Sequence, residues 1–277
     1  MAVTFIPEIW SAKVLDQLFK SLVYAGPQVV NRDWEGDITA VGDTVRIQSW
    51  GNPTISSYTT GTTLSYEELS DAQRALLIDQ AKSFSFKVDD LTKAQTSGAL
   101  ENGTKNAAYG LRDVADQYVA SLYTGAASAN QLGTISVTTA AGAFTVLRKL
   151  RTALNKANVP TEGRYAILPA FFEGLLIEDD RIIRADASGS TEALRNGLIG
   201  RALGFNLFVS NNAPNPTGDD WVVQAGHPSA IAYAEQILET EAIRLQLSFG
   251  TGVRGLHAYG AKLVQPAAIA TCIASET

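Results

Sequence analysis

A long polar excursion between two alternating segments limits the folds open to this chain more than any other feature. From Asp43 the hydrophobic period is two, with Val45 and Ile47 alternating against Thr44, Arg46 and Gln48. On the far side Phe84, Phe86 and Val88 alternate against Ser83, Ser85 and Lys87. Residues 49–70 between them are rich in Ser, Thr, Gly and Tyr, with a hairpin tip expected at Thr59-Thr60-Gly61-Thr62 beside Tyr58. An arm of about 15 residues at roughly 3.3 Å each reaches on the order of 50 Å, further than the radius of a compact body of this size. A lone two-stranded ribbon is only marginally stable in water. The excursion is explained best if it lies on a neighbouring copy, which buries what the monomer cannot.

The rest of the chain supplies a body for that arm. Ile9, Trp10, Val14, Leu15, Leu18, Phe19 and Leu22 recur at helical spacing behind Pro7. Gly26-Pro27 breaks this amphipathic helix and Trp34 to Gly42 reads as loop, so its apolar face must dock later in the chain or on another subunit. The strongest helical pattern runs from about Thr96 to Thr124, with Leu100, Ala107, Leu111, Val114, Tyr118 and Leu122 on one stripe and Gly125 at the stop. About 28 residues at 1.5 Å each give roughly 42 Å, enough to span the molecule. Gly98, Gly103 and Gly110 weaken that helix, so packing must hold it. A second helix is expected from Ala141 to Asn158, with Phe144, Leu147, Leu150 and Leu154 inward. Between Arg164 and Gly226 short elements alternate in type: Tyr165 to Leu168, Phe205 to Ser210 and Trp221 to Gln224 as strands, Pro169 to Glu178 and Thr191 to Asn196 as helices. That is a compact α+β lobe. Strands follow at Ile237 to Phe249 and Arg254 to Val264, with Pro266 before a last apolar strand to Ala274.

Charge and motifs exclude most chemistry. With 28 acidic and 22 basic side chains the net charge is −6, which does not suit a protein that tracks a phosphate backbone over a long stretch. The one basic concentration is Arg148, Lys149, Arg151 and Lys156 on the second helix, a solvated face in the plain reading and a contact for nucleic acid or an acidic partner in the other. No run is long and apolar enough to span a membrane, and Met1 to Trp10 lacks the zones of a signal peptide, so a cytosolic protein is expected. The single cysteine, Cys272, reads as a small apolar filler in a strand. Gly250-Thr-Gly-Val-Arg-Gly255 has dinucleotide-loop spacing, yet an alternating strand follows where a helix is needed, so a glycine-rich hairpin turn is expected. His227 and His257 stand in no metal-ligand spacing, and Glu178-Asp179-Asp180-Arg181 reads as a solvated turn. Asn102-Gly-Thr104 is a glycosylation sequon without meaning in a protein that is not secreted. No catalytic, metal or cofactor-binding residue is expected.

Arm, long helix, mixed lobe and returning strands, in that order, give an α+β layout that resembles the Hong Kong 97-type fold of tailed-phage capsid proteins, nearly end to end. Phe5-Ile-Pro-Glu-Ile-Trp10, Gly42-Asp-Thr-Val-Arg-Ile47, Gly200-Arg-Ala-Leu-Gly-Phe205 leading to Val209-Ser-Asn211, and Val253-Arg-Gly-Leu-His-Ala-Tyr-Gly260 before Pro266 are similar to phrases of phage coat proteins. The resemblance implies an N-terminal arm over 1–42 and an extended loop over 43–90. It also implies a peripheral domain over 91–159 and 227–277 with a spine helix at 96–124, and an axial domain over 160–226. It further implies a non-enzymatic subunit of the virion, assembled in the host bacterial cytoplasm into hexamers and pentamers around double-stranded DNA bound without sequence specificity. A separate scaffolding protein, a portal and a decoration protein are the other implied partners. The start at Met1 without a long helical prefix leads us to expect no fused scaffolding segment. Intersubunit contacts are expected at the loop tip, Tyr58, Thr59, Thr60, Gly61 and Thr62, and along the N-terminal arm at Trp10, Val14 and Leu18. Some relatives lock their shells through an extended-loop lysine that attacks a neighbour's asparagine; here no lysine occurs between Ser21 and Ala81. Two other readings stay open at the level of sequence: an encapsulin-like nanocompartment shell, and a soluble hydrolase or carbohydrate-binding α+β protein.

Overall fold

A computed structural model describes residues 23–33, 44–50, 53–55, 57, 60–61, 66–67, 71–89, 99–179, 200–245 and 249–277. The helix carrying Trp10, Val14 and Leu18, the tip residues Tyr58, Thr59 and Thr62, the loop at 34–42 and the short helix expected at 191–196 lie outside the described residues.

Strands β1 (Thr44–Trp50) and β2 (Asp71–Leu77) pair antiparallel, Thr44 opposite Leu77 and Trp50 opposite Asp71. This corrects the expected hairpin: its far arm is β2, not the Phe84–Val88 segment. Those residues belong to β3 (Gln80–Asp89), the edge of a separate three-stranded sheet ordered β3-β10-β9, with β9 at Ile231–Arg244 and β10 at Gly250–Leu263. Alternation at Phe84 and Phe86 reports a strand with one covered face, and the cover is a helix. Phe84 packs on Ala108 and Leu111, and a Cβ at Gly103 would stand 2.6 Å from the Phe86 ring. Gly103 is the gap that lets the aromatic approach.

That helix is α1 (Ala99–Ser121), which tightens into a 3-10 turn over Leu122–Gly125 instead of running on to Thr124 as α-helix. Its covered face is Thr104, Ala108, Leu111, Ala115, Asp116 and Val119. Val114, placed on the inward stripe by its size, is 40% exposed, and Tyr118 and Leu122 are half-buried. Small residues set the stripe because the helix lies close against β3 and β10.

Helix α2 (Ala140–Lys156) begins at an N-cap where the Thr139 side chain accepts from Gly142 N–H, and it buries Leu147, Leu150 and Leu154 as expected; Phe144 is half-buried. It packs on a six-stranded sheet ordered β4-β11-β8-β5-β7-β6. The strands are β4 (Gln131–Ser136), β5 (Tyr165–Leu168), β6 (Arg201–Ala202), β7 (Phe205–Val209), β8 (Asp220–Gly226) and β11 (Ile269–Ser275). Helix α3 (Ala170–Ile177) follows β5 and packs on α2. The sheet thus draws β4 and β11 from outside 160–226. All of β5 is buried, the pattern of a strand covered on both faces. Cys272 is buried in β11, and burial pushes its thiol up to about 12.

Three further expectations change. The glycines of Gly250–Gly255 are not a turn but the start of β10, paired to β3 from Gly250 opposite Asp89 onward. A Cβ at Gly250 would lie 2.8 Å from the Val88 carbonyl oxygen, so the spacing serves backbone contact. The turn read at Glu178–Arg181 is not uniformly solvated, since Asp179 is buried. The strand expected from Ile237 begins earlier, at Ile231, and ends at Arg244.

Candidate assembly interface

The arm is anchored at its base and open further out. Leu76 and Ile78 at the end of β2 are fully buried with Ala232, Ala234 and Ala258 of the three-stranded sheet. Gly260 makes the crossing possible: a Cβ there would collide with the Leu77 carbonyl oxygen and stand 3.0 Å from the Ile78 Cα. Beyond β1 and β2, the Thr54 N–H donates to the Glu67 carboxylate, which holds that carboxyl below its ordinary range. Thr54 and Glu67 each lie four residues outward from Trp50 and Asp71, in the same register. Thr60 and Gly61 fall at the midpoint of that register, both exposed and in a turn, with Gly61 at φ 92°, the left-handed region that favours glycine. Ile55 and Tyr66 flank this end of the arm at 95% and 98% exposure. Both are large apolar side chains that the subunit itself leaves in water.

At residues 23–25, Asp116 of α1 collects three backbone donors. Its Oδ1 accepts from the N–H groups of Val23 (3.1 Å), Tyr24 (2.7 Å) and Ala25 (3.2 Å), and its Oδ2 accepts from the Asn212 amide at 3.1 Å. Burial pushes its carboxyl above the ordinary range while Asn212 and the three N–H groups pull the other way. One side chain therefore ties residues 23–25, helix α1 and the Asn212 loop of the lobe together. A groove of about 190 Å³ opens beside it, lined by Val23, Tyr109, Arg112, Val209 and Asn212 among others, with Tyr109 60% exposed. Asn31 continues the tie by pairing with β9: its N–H donates to Ile231 and its carbonyl accepts from Tyr233.

A family profile described as phage capsid protein matches residues 72–272. The chain belongs to the phage capsid protein family. A solved chain from Mycobacterium phage Che8 is 35% identical, with 91% of each chain covered and a TM-score of 0.77. The capsid structure of the cyanophage P-SCSP1u is similar at 17% identity, covering 86% of this chain and 85% of that one, with a TM-score of 0.69. The mature capsid of bacteriophage PhiM1 follows at 13% identity, 93% and 88% coverage, and a TM-score of 0.68. The last two speak for the fold alone. A search of curated proteins found no match. The chain is a structural subunit of a capsid shell and a component of the virion, and none of these matches points to a nanocompartment, a hydrolase or a carbohydrate-binding protein.

In this capsid subunit the polar side chains that sequence reasoning singled out serve the fold. His227 caps the turn at Pro228–Ala230 by accepting from Ser229 N–H, with burial and then Arg164 lowering its pKa. His257 lies buried with Nε2 3.4 Å from Glu235 Oε2. Sequence reasoning missed the buried network around Glu235. Arg32 donates to its Oε1 at 2.7 Å and Tyr233 to its Oε2 at 2.6 Å, while the Arg32 guanidinium stands 5.0 Å from the Tyr233 ring centre. Desolvation is the largest single influence and pushes the Glu235 carboxyl up; His257, Arg32 and Tyr233 together outweigh it and hold the group below its ordinary range. The signal for Asp116 was a carboxylate placed among Ala115, Val119 and Ala120 on an apolar helix face. Among the described residues no group of His, Cys, Asp or Glu side chains could hold a metal ion, and no helix is long and apolar enough to cross a membrane.

Proposed function

We propose that this capsid subunit has the Hong Kong 97-type fold and closes into an icosahedral shell of hexamers and pentamers around double-stranded DNA. The observation that carries this reading is the arm: buried and interlocked at Leu76, Ile78 and Gly260, exposed at Ile55 and Tyr66. Residues 43–90 are the extended loop with its base in β3, 91–159 and 227–277 the peripheral part with α1 as spine, and 160–226 the centre of the axial lobe. The loop tip at Tyr58–Thr62 crosses onto a neighbour. Residues 1–42 are the N-terminal arm, and Trp10, Val14 and Leu18 dock on an adjacent copy. Assembly takes place in the host cytoplasm, with a separate scaffolding protein, a portal and a decoration protein as partners.

Electron microscopy of particles formed by the purified chain tests this. Closed shells with five- and six-fold clusters, and with the arm lying over the next subunit, are expected. Small oligomers alone, or an arm folded back on its own body, would overturn the reading.

A further inference from the structure

Helix α2 has a face that the fold does not use. Its inner side is Ala143, Val146, Leu147, Leu150, Ala153 and Leu154 against the lobe, and its outer side presents Arg148, Lys149, Arg151 and Lys156, all exposed. Its 17 residues hold four cations and no carboxylate, in a chain whose net charge is −6. Among the described residues none of the four forms an ion pair. Arg164, which donates to Asn155 Oδ1 in the last turn of α2 and to the Val159 and Pro160 carbonyl oxygens just past it, each at 2.7 Å, adds a fifth positive charge near Arg151.

Such a face costs self-repulsion and gains nothing within the subunit. A neighbouring protein surface is a poor fit for it. Protein interfaces bury an apolar core and are depleted in lysine, whereas the exposed side chains between these cations are Thr152 and Asn155. A phosphate backbone asks only for cations at short intervals, without apolar contact or sequence reading. The face rises about 12 Å from Arg148 to Lys156, a length over which duplex DNA presents several phosphates.

We infer that the outer face of α2 is the place where this subunit touches packaged nucleic acid, through Arg148, Lys149, Arg151 and Lys156 binding duplex phosphates. This rests on the reading that the shell encloses DNA and adds which side chains meet it. It also sets the lobe's orientation, with α2 turned to the lumen.

The test uses the full chain and the variant Arg148→Gln/Lys149→Gln/Arg151→Gln/Lys156→Gln. Unassembled subunits are titrated with a fluorescent random-sequence duplex of about 30 bp at several salt concentrations, and both chains are imaged for shell formation. The variant should form shells as before, bind the duplex at least tenfold more weakly at low salt, and lose roughly 3 to 4 units from the slope of log K against log salt. Equal binding by the two chains overturns the inference. So does a folded variant that no longer closes shells, which would assign the face to contact between copies. A measurement on the unaltered protein decides independently of the variant's folding. Amidination of Lys149 and Lys156 should be severalfold slower in DNA-filled particles than in emptied ones, and equal rates overturn the inference. Absence of any shell from the unaltered chain would count against the proposed function instead, and the duplex titration would still read out.

Discussion

The extended arm and the six-stranded lobe obey the same rule of strand alternation and reach opposite ends. In the lobe, Tyr165 to Leu168 are wholly buried in β5, and Val222 to Gly226 are buried beside them in β8. Each large side chain there contributes roughly 1.5–3 kcal/mol by leaving water, and it does so within one subunit. On the arm, Ile55 and Tyr66 remain in water and contribute nothing to the subunit's own fold. The lobe is completed within one subunit, and on the proposed reading the outer arm serves assembly. The boundary between them falls at Leu76–Ile78, where the arm passes beneath β10.

The strongest way to break that comparison is to remove the outer arm. Deleting residues 51–70 and closing β1 and β2 with a short turn should abolish shells while the subunit's melting temperature stays close to that of the full chain. Shells in the microscope from that deletion would show that the arm is not an assembly element. Next comes the body itself. Leu111 is 6% exposed, and Leu111→Asp should cost on the order of 3–5 kcal/mol and leave insoluble protein, while Leu122→Asp, at a half-buried site, should cost less. Equal solubility of the two, read from the soluble fraction, would mean that the inner face of α1 is misplaced.

Effects of intermediate size belong to Glu235. Its folded pKa lies below the ordinary 4.5, so its ionised form stabilises the subunit at any pH above that value, and the contribution is lost as pH falls through the folded pKa. Acid melts should therefore show a loss below about pH 4.5 that shrinks in Glu235→Gln. Arg32→Leu leaves the buried carboxylate without its cation and should lower stability at neutral pH by about 3 kcal/mol, measured by urea unfolding. Smaller still, Ile55→Ser with Tyr66→Ser should change the subunit's own stability by less than about 0.5 kcal/mol yet raise the concentration needed for shell formation severalfold. The smallest expected effect is none at all. With no lysine from Ser21 to Ala81, mature particles dissolved in hot detergent should run as one monomer band, and a ladder would reveal a covalent link from elsewhere in the chain.

What the sequence made legible follows from the range of the interactions involved. Helix α2, strand β5 and the buried setting of Cys272 were readable because large apolar side chains at regular spacing report their own burial. The partner of a strand is not encoded that way. Phe84 and Phe86 alternate because α1 covers them, and the same pattern would have suited β1. The covered face of α1 escaped because Gly103, Ala108 and Ala115 carry its close packing, and a search for large residues promoted Val114 instead. Asp116 and Glu235 join segments separated by 92 and 203 positions, a distance over which residue spacing carries no information. Of the expected contact residues, Thr60 and Gly61 stand at the end of the arm's register; Tyr58, Thr59, Thr62, Trp10, Val14 and Leu18 lie outside the described residues.

Only Ile78 and Asp79 separate β2 from β3, and both ends of that link are held: Ile78 is buried under β10, and the Asp79 carboxylate accepts from the Tyr118 hydroxyl at 3.3 Å. The link therefore acts as a short stiff pivot for a long lever. A tilt of about 5° at the pivot shifts the end of an arm of roughly 50 Å by about 4 Å, close to one strand spacing. On the proposed reading, in which the tip crosses onto a neighbour, small differences in how α1 seats against β3 are amplified into which part of that neighbour the tip reaches. In the proposed shell, identical chains would then meet the unequal angles of five- and six-membered rings through one two-residue joint, without refolding the lobe.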